Sequence, residues 1–288
     1  MDLAGSLVLL ALLGVVIVTY AGHAALFGSP RYERVAKDEG SVLLGTGPMN
    51  VGYWALEKVG TVCVRLRIGA NAISWSSLFF GAVGAGLFAV GHFGIGALFA
   101  AACASCDALD GMVARKTGTA SLAGEVLDAS IDRAVEFLLL GGIAVAWRTS
   151  TPRLSLALLA LLGSFMVSYA TAKAEAMQVE PPRGAMRRTE RCVYLLLGAA
   201  LTPLATLLAA RQAPLLGPLA GVAGELPLLC AVALIGVVAN TSAARRLGRV
   251  AALVRLRNVP PKSPEPVSTH SEAPLRGHAP HHPARVAG

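Results

Sequence analysis

Seven stretches of this chain are apolar for long enough to cross a bilayer as helices, separated by polar breaks marked with Pro and Gly. A helical span needs roughly 20 such residues. The runs fall at 6–25, 72–90, 95–113, 125–147, 154–174, 192–210 and 219–239. The breaks after the second, fourth and sixth runs are short, which predicts antiparallel neighbours. Gly81, Gly84 and Gly86, and Gly141 with Gly142, would let those helices approach closely.

Between and beyond the spans the pattern changes. Residues 29–48 read as a polar linker containing Arg31, Arg34 and Lys37. Residues 49–66 interleave Tyr53, Trp54, Leu56, Val59 and Val62 with Glu57, Lys58 and Arg65. That mixture predicts an amphipathic helix lying on the membrane surface, with a glycine-containing loop as the alternative. From Asn258 onward Pro, Ser, His and Ala dominate, so a disordered tail is expected, its His278, His281 and His282 simply solvated. The first run lacks a basic lead-in and a good cleavage site, so it is expected to be a retained helix or an uncleaved signal anchor. The expected organisation is therefore an all-α polytopic membrane protein: an N-terminal span in 1–28, a linker and interfacial helix in 29–70, a six-helix domain in 71–250, and a tail in 251–288.

Composition sharpens this. Of 288 residues 55% are hydrophobic and only 15% charged, against about a quarter charged in a soluble domain. The net charge of +8 fits basic loops on one side of a membrane better than nucleic-acid binding, which is not expected. Arg115, Lys116, Arg183, Arg187, Arg188, Arg191, Arg245, Arg246 and Arg249 all fall on one side of the predicted topology, with Arg148, Arg153 and Arg211 on the other. The first side is expected to be cytoplasmic and the N-terminus outside, in a bacterial inner membrane. Five scattered cysteines, including Cys103 and Cys106 inside an apolar run, read as small filler rather than a redox pair.

Candidate chemistry is concentrated in one place. Asp107, Asp110, Gly111 and Ala114 share a face of one predicted helix, and Gly124, Asp128 and Asp132 share a face of the next. Residues 116–123 between them read as a turn. Folded antiparallel, the hairpin would set Asp107 opposite Asp132 and Asp110 opposite Asp128, in two layers. Four such acids repel unless cations lie among them, and an all-oxygen set selects a hard ion, Mg²⁺ first, with Mn²⁺ or Ca²⁺ as alternatives. Two such ions would bridge a diphosphate, Arg115 would clamp phosphate oxygens, and Gly111, Ala114 and Gly124 would leave room for a flat ligand. Ionisable residues at membrane depth are functional by default. The plain alternative is a set of acids stapled to Arg115 or Arg133.

These residues also resemble a known family. Asp107-x2-Asp110-Gly111-x2-Ala114-Arg115-x8-Gly124-x3-Asp128-x3-Asp132 is similar at every fixed position to the signature of CDP-alcohol phosphatidyltransferases. The resemblance implies a homodimer of six-helix subunits that transfers the phosphatidyl group of CDP-diacylglycerol to an alcohol and releases CMP. It implies two Mg²⁺ ions held by Asp107, Asp110, Asp128 and Asp132, with Asp132 as base, and a CDP site at Gly111, Ala114, Arg115 and Gly124. Asn71-Ala-Ile-Ser74 resembles the family's Pro-Asn-x-Ile-Thr entry to the first core helix, although Asn71 serves equally well as a helix cap. Tyr169-Ala-Thr171-Ala-Lys173 with Arg188-Thr-Glu190-Arg191 resembles the acceptor region of phosphatidylinositol-phosphate synthases, Thr171 standing where that pattern has Lys. Lys173, Arg188 and Arg191 are thereby candidate acceptor-binding residues, inositol phosphate being favoured over glycerol 3-phosphate or inositol. Other readings are an acid-lined cation transporter and a choline- or ethanolamine-type phosphotransferase.

Overall fold

The computed structural model describes residues 1–30, 32, 35, 45–180 and 184–257. The expected tail from residue 258 onward and the linker residues Arg31, Arg34 and Lys37 lie outside them, as does Arg183, whereas residues 251–257, expected in the tail, are helical. Helices follow one another as α1 (Asp2–Phe27), α2 (Gly47–Arg65), α3 (Ala70–Ala89), α4 (Phe93–Thr117), α5 (Leu122–Ala146), α6 (Thr151–Ala176) and α7 (Arg188–Arg211). A four-residue α8 (Ala213–Leu216) and a 3₁₀ turn then lead into α9 (Ala220–Arg257). The protein is membrane-integral, and among the described residues it is all-α, with six helices long and apolar enough to cross a bilayer. The expected run at 125–147 forms α5, whose Glu125, Asp128, Asp132, Arg133 and Glu136 keep it out of that set.

Two boundaries differ from the sequence reading for clear reasons. α9 continues past residue 239 to Arg257, about 57 Å in all at 1.5 Å per residue. Its polar last turns are tied to neighbouring segments, Arg246 to Gly184 and Arg257 to Met177. At the start of α3 the cap is Gly69, so Asn71 lies inside the first turn rather than capping it.

Close helix approach organises the core. α3 packs along both α4 and α5, whereas α9 packs along α6 and α7. The α3–α5 crossing needs Gly142, because a Cβ there would run into the backbone oxygen of Ala85. α4 and α5 lean on α3 more than on each other. Phe88, Ile143, Leu228, Val232 and Ile235 fill the interior. α1 lies against α4 and α7, and Asp2 Oδ1 accepts the amide of Ile95 at 3.0 Å in the first turn of α4. α2 covers the other end of α4, with Gly60 against Met112 and Thr61 Oγ1 accepting from Lys116 Nζ at 2.9 Å.

Candidate active site

The turn between α4 and α5 sets the site's floor. Gly118, with φ at +67°, ends α4 in the left-handed conformation. Ser121 then starts α5 by accepting the amide of Gly124 at 3.1 Å. This reversal is short enough to bring the two acid-bearing faces together.

The resulting grouping is uneven. Carboxylate oxygens of Asp107, Asp128 and Asp132 lie within 4.8 Å of one another. Asp110 is not in that trio. It is held from α3: Ser74 Oγ donates to Asp110 Oδ2 at 2.5 Å, while the amide of Gly111 donates to Asp110 Oδ1. Ser74, which is buried, thus fixes one acid from a helix that the hairpin alone could not supply.

A cleft of about 830 Å³ opens beside the trio. Asp110, Gly111, Ala114, Arg115, Gly124 and Asp128 line it from the hairpin, joined by Asn71 and Ser74 from α3. All four residues expected at the nucleotide site therefore face one space. Its walls combine small residues with an exposed guanidinium, that of Arg115.

The basic residues of α7 are placed differently from one another. Arg188 Nη1 lies 2.7 Å from Asp107 Oδ1, and its Nη2 lies 2.7 Å from Asp132 Oδ1. The second contact is an ion pair without the alignment of a hydrogen bond. Arg191 is buried and meets Glu136 through both Nε (2.6 Å) and Nη2 (3.1 Å), while Nη1 donates to Met186 O. It therefore fastens α7 to α5. Glu190, also buried, accepts the amides of Met186 and Arg187 at the start of α7. Lys173 is half-buried in the last turn of α6.

Arg246, which the sequence reading counted only as a topological charge, belongs to this region. Its Nη2 donates to the carbonyls of Gly184 and Ala185, and Nη1 reaches Thr171 Oγ1 at 3.4 Å. A cation from α9 thus approaches the position where the related acceptor pattern carries Lys. No local spacing ties residue 246 to residue 171, so sequence periodicity could not have found it.

The donor chemistry of the trio suits a hard divalent ion. Ligand oxygens at about 2.0–2.6 Å from one ion lie roughly 3–5 Å apart, the separation these carboxylates already have. Arg188 meets Asp107 and Asp132, and Arg133 Nη1 lies 3.9 Å from Asp132 Oδ2.

The chain is similar to several known proteins. The phosphatidylinositol phosphate synthase of Mycolicibacterium smegmatis is 36% identical over 121 residues, which is 41% of this chain and 54% of that protein. The archaetidylinositol phosphate synthase of Methanothermobacter thermautotrophicus is 30% identical over 141 residues, 49% of this chain and 71% of that one. The chain thus spans about half the length of the first of these relatives. In fold it is similar to the Mycobacterium tuberculosis phosphatidylinositol phosphate synthase in complex with manganese and citrate. That likeness has a TM-score of 0.56 at 24% identity, covering 67% of this chain and 88% of that one. The same enzyme with CDP-DAG bound gives a TM-score of 0.54. The sequence family described as CDP-alcohol phosphatidyltransferase matches residues 67–223, more than half of the chain and the whole of the acid hairpin. By that match, this chain belongs to the CDP-alcohol phosphatidyltransferase family.

Proposed function

We propose that the protein synthesises a phospholipid by moving the phosphatidyl group of CDP-diacylglycerol onto a polar alcohol, releasing CMP. The observation that carries this reading is the adjoining of two spaces: a three-carboxylate centre and a large cleft lined by Gly111, Ala114, Arg115 and Gly124. The relatives' names favour inositol phosphate as the acceptor, ahead of glycerol 3-phosphate and inositol.

In this reading Asp107, Asp128 and Asp132 hold divalent cations, Mg²⁺ first and Mn²⁺ as its substitute, and Asp110 completes the set from its place against Ser74. When bound, the ions supply neutralising charge for the diphosphate. The small residues of the cleft admit the cytidine nucleotide, and Arg115 binds a phosphate oxygen. Asp132 takes the proton of the acceptor hydroxyl as that oxygen bonds to the lipid-side phosphorus. The bond from that phosphorus to the bridging oxygen breaks, and CMP leaves with the electron pair. Arg188 and Lys173 meet the acceptor's phosphate, and Arg191 supports Arg188 from the next turn through its pair with Glu136.

The setting we propose is a bacterial inner membrane, with the site on the cytoplasmic side and the protein as a homodimer. The clustering of Arg115, Lys116, Arg187, Arg188, Arg245, Arg246 and Arg249 at one end of the bundle supports that orientation. A guanidinium lodged against two of the acids weighs against a cation pathway, since a fixed cation repels a permeating one.

The test is CMP release from CDP-diacylglycerol in detergent, with inositol 1-phosphate, inositol and glycerol 3-phosphate supplied separately. Mg²⁺-dependent CMP release with inositol 1-phosphate is expected. No CMP with any of the three, with Mg²⁺ or Mn²⁺ present, would refute the reading.

A further inference from the structure

Most exposed apolar side chains of this protein lie on helices long enough to cross a bilayer, where lipid tails would cover them. α2 is different. It is not among those helices, yet Val59, Val62 and Leu66 are 45%, 50% and 67% exposed. Spaced at i, i+3 and i+7, they form one stripe. Leu56 and Cys63, on another side of the helix, pack against Ile73 of α3 and Leu109 and Val113 of α4. Lys58 and Arg65, two turns apart, run along one edge of the stripe, and Arg67 follows the helix end. All three are exposed, and among the described residues none of these side chains has a hydrogen bond or ion pair. The one acid of α2, Glu57, is taken up by Tyr32, whose Oη donates to its Oε2 at 3.1 Å.

Arg67 occupies an unusual place. Its φ is +55°, its amide donates to Val64 O, and the next amide, that of Ile68, donates to Cys63 O. This closure of a helix end normally uses glycine, because a Cβ is strained there. Here the strained position carries an exposed cation instead, two residues before Gly69, which with Ala70 and Asn71 lines the cleft. A strained residue kept at the mouth of a site points to a role for its side chain.

We propose that α2 is a binding surface for anionic phospholipid: Val59, Val62 and Leu66 seat it in the leaflet on the side of the acid centre, and Lys58, Arg65 and Arg67 hold negatively charged headgroups beside the cleft mouth. This goes beyond the reaction proposed above. The depth is right for it. α2 is fastened near the end of α4, with Gly60 against Met112 and Thr61 bonded to Lys116, and α3 begins at Ala70. Two long helices thus end or start at the level of α2, where a bilayer's headgroups would lie. An apolar stripe edged by cations suits that level, and cations without acidic partners favour anionic over zwitterionic headgroups.

The experiment is native mass spectrometry of the purified full chain in detergent, supplied with equal amounts of phosphatidylglycerol and phosphatidylcholine. It measures the ratio of the two lipids retained and needs no turnover, so it is independent of whether CMP is released. The native chain is expected to retain phosphatidylglycerol severalfold over phosphatidylcholine. Combining Lys58→Gln, Arg65→Gln and Arg67→Gly should lower that ratio about threefold or more. Arg67→Gly alone relaxes the backbone, so the melting temperature should hold or rise while the ratio falls, which damage to the fold would not produce. Arg67→Lys keeps the charge at the same strained position and should keep most of the ratio. Arg255→Gln, which removes an exposed cation of α9, should leave it unchanged. The proposal is overturned if the combined variant keeps the native ratio or loses both lipids alike, which would leave this face to neutral lipid or to a protein partner. It is overturned equally if Arg255→Gln lowers the ratio as far as the combined variant does.

Discussion

At the end of the bundle away from the acid trio, Glu225 of α9 accepts Arg153 Nη1 at 2.7 Å and Trp147 Nε1 at 3.1 Å. One acid meets one cation and one neutral donor, and the charges balance. At the other end Arg188 bridges two of three clustered carboxylates, Arg133 Nη1 lies 3.9 Å from Asp132 Oδ2, and an 830 Å³ cleft opens beside them. Both are part-buried ionic clusters between helices. The first is complete within the protein, so it reads as a staple joining α9 to α6. The second gathers three acids beside a wide cleft, so it reads as a place for something that arrives. Clustered carboxylates next to open space separate a working site from a structural one more clearly than burial does.

Three substitutions sharpen or break that contrast. The largest effect is expected from Asp132→Asn, which should lower the rate of CMP release about 10³-fold, within the usual range for losing a general base. Its thermal stability should hold or rise, since one repelling charge is gone; a variant that unfolds early would place Asp132 among the structural acids. Next is Arg191→Met, which strands the nearly buried carboxylate of Glu136. Removing one partner of a buried pair costs about 3–5 kcal/mol, so a large fall in melting temperature is expected, with Glu136→Leu added to Arg191→Met recovering much of it. No loss of stability in the single variant would mean the pair is not a staple. The smallest effect is expected from Glu225→Gln. Its side chain and that of Arg153 are about a quarter to a third exposed, so the loss should be about 1 kcal/mol, with CMP release unchanged. A strong loss of activity there would erase the distinction between the two ends.

Much of this was legible from residue order. Six of the seven apolar runs appear as long helices within about four residues of their expected limits, because length and hydropathy decide helix formation in a bilayer, while the seventh runs on to Arg257. The hairpin chemistry was legible as well, since Gly118 and Ser121 announce the reversal and the acids repeat at helical spacing. What the spacing could not give was the third helix. Ser74 of α3 donates to Asp110, and Arg188 enters from α7, more than fifty residues downstream. Arg191 pairs with Glu136 on another helix, 55 residues away. Periodicity describes one helix face at a time, whereas these contacts depend on how helices cross.

The charge carried by α5 also bears on how the chain enters its bilayer. Insertion of a lone helix is disfavoured by roughly 2.5–3.5 kcal/mol for each Asp or Arg near its centre, and α5 carries Asp128, Asp132 and Arg133 alongside two glutamates. Its neighbour α4 precedes it by a four-residue turn and begins with an apolar half. The pair is therefore suited to entering together as a hairpin, with Arg188 joining only after α7 has been synthesised. Until then the acids lack the guanidinium that later bridges them, which makes the interval between α5 and α7 the exposed moment in this protein's biogenesis.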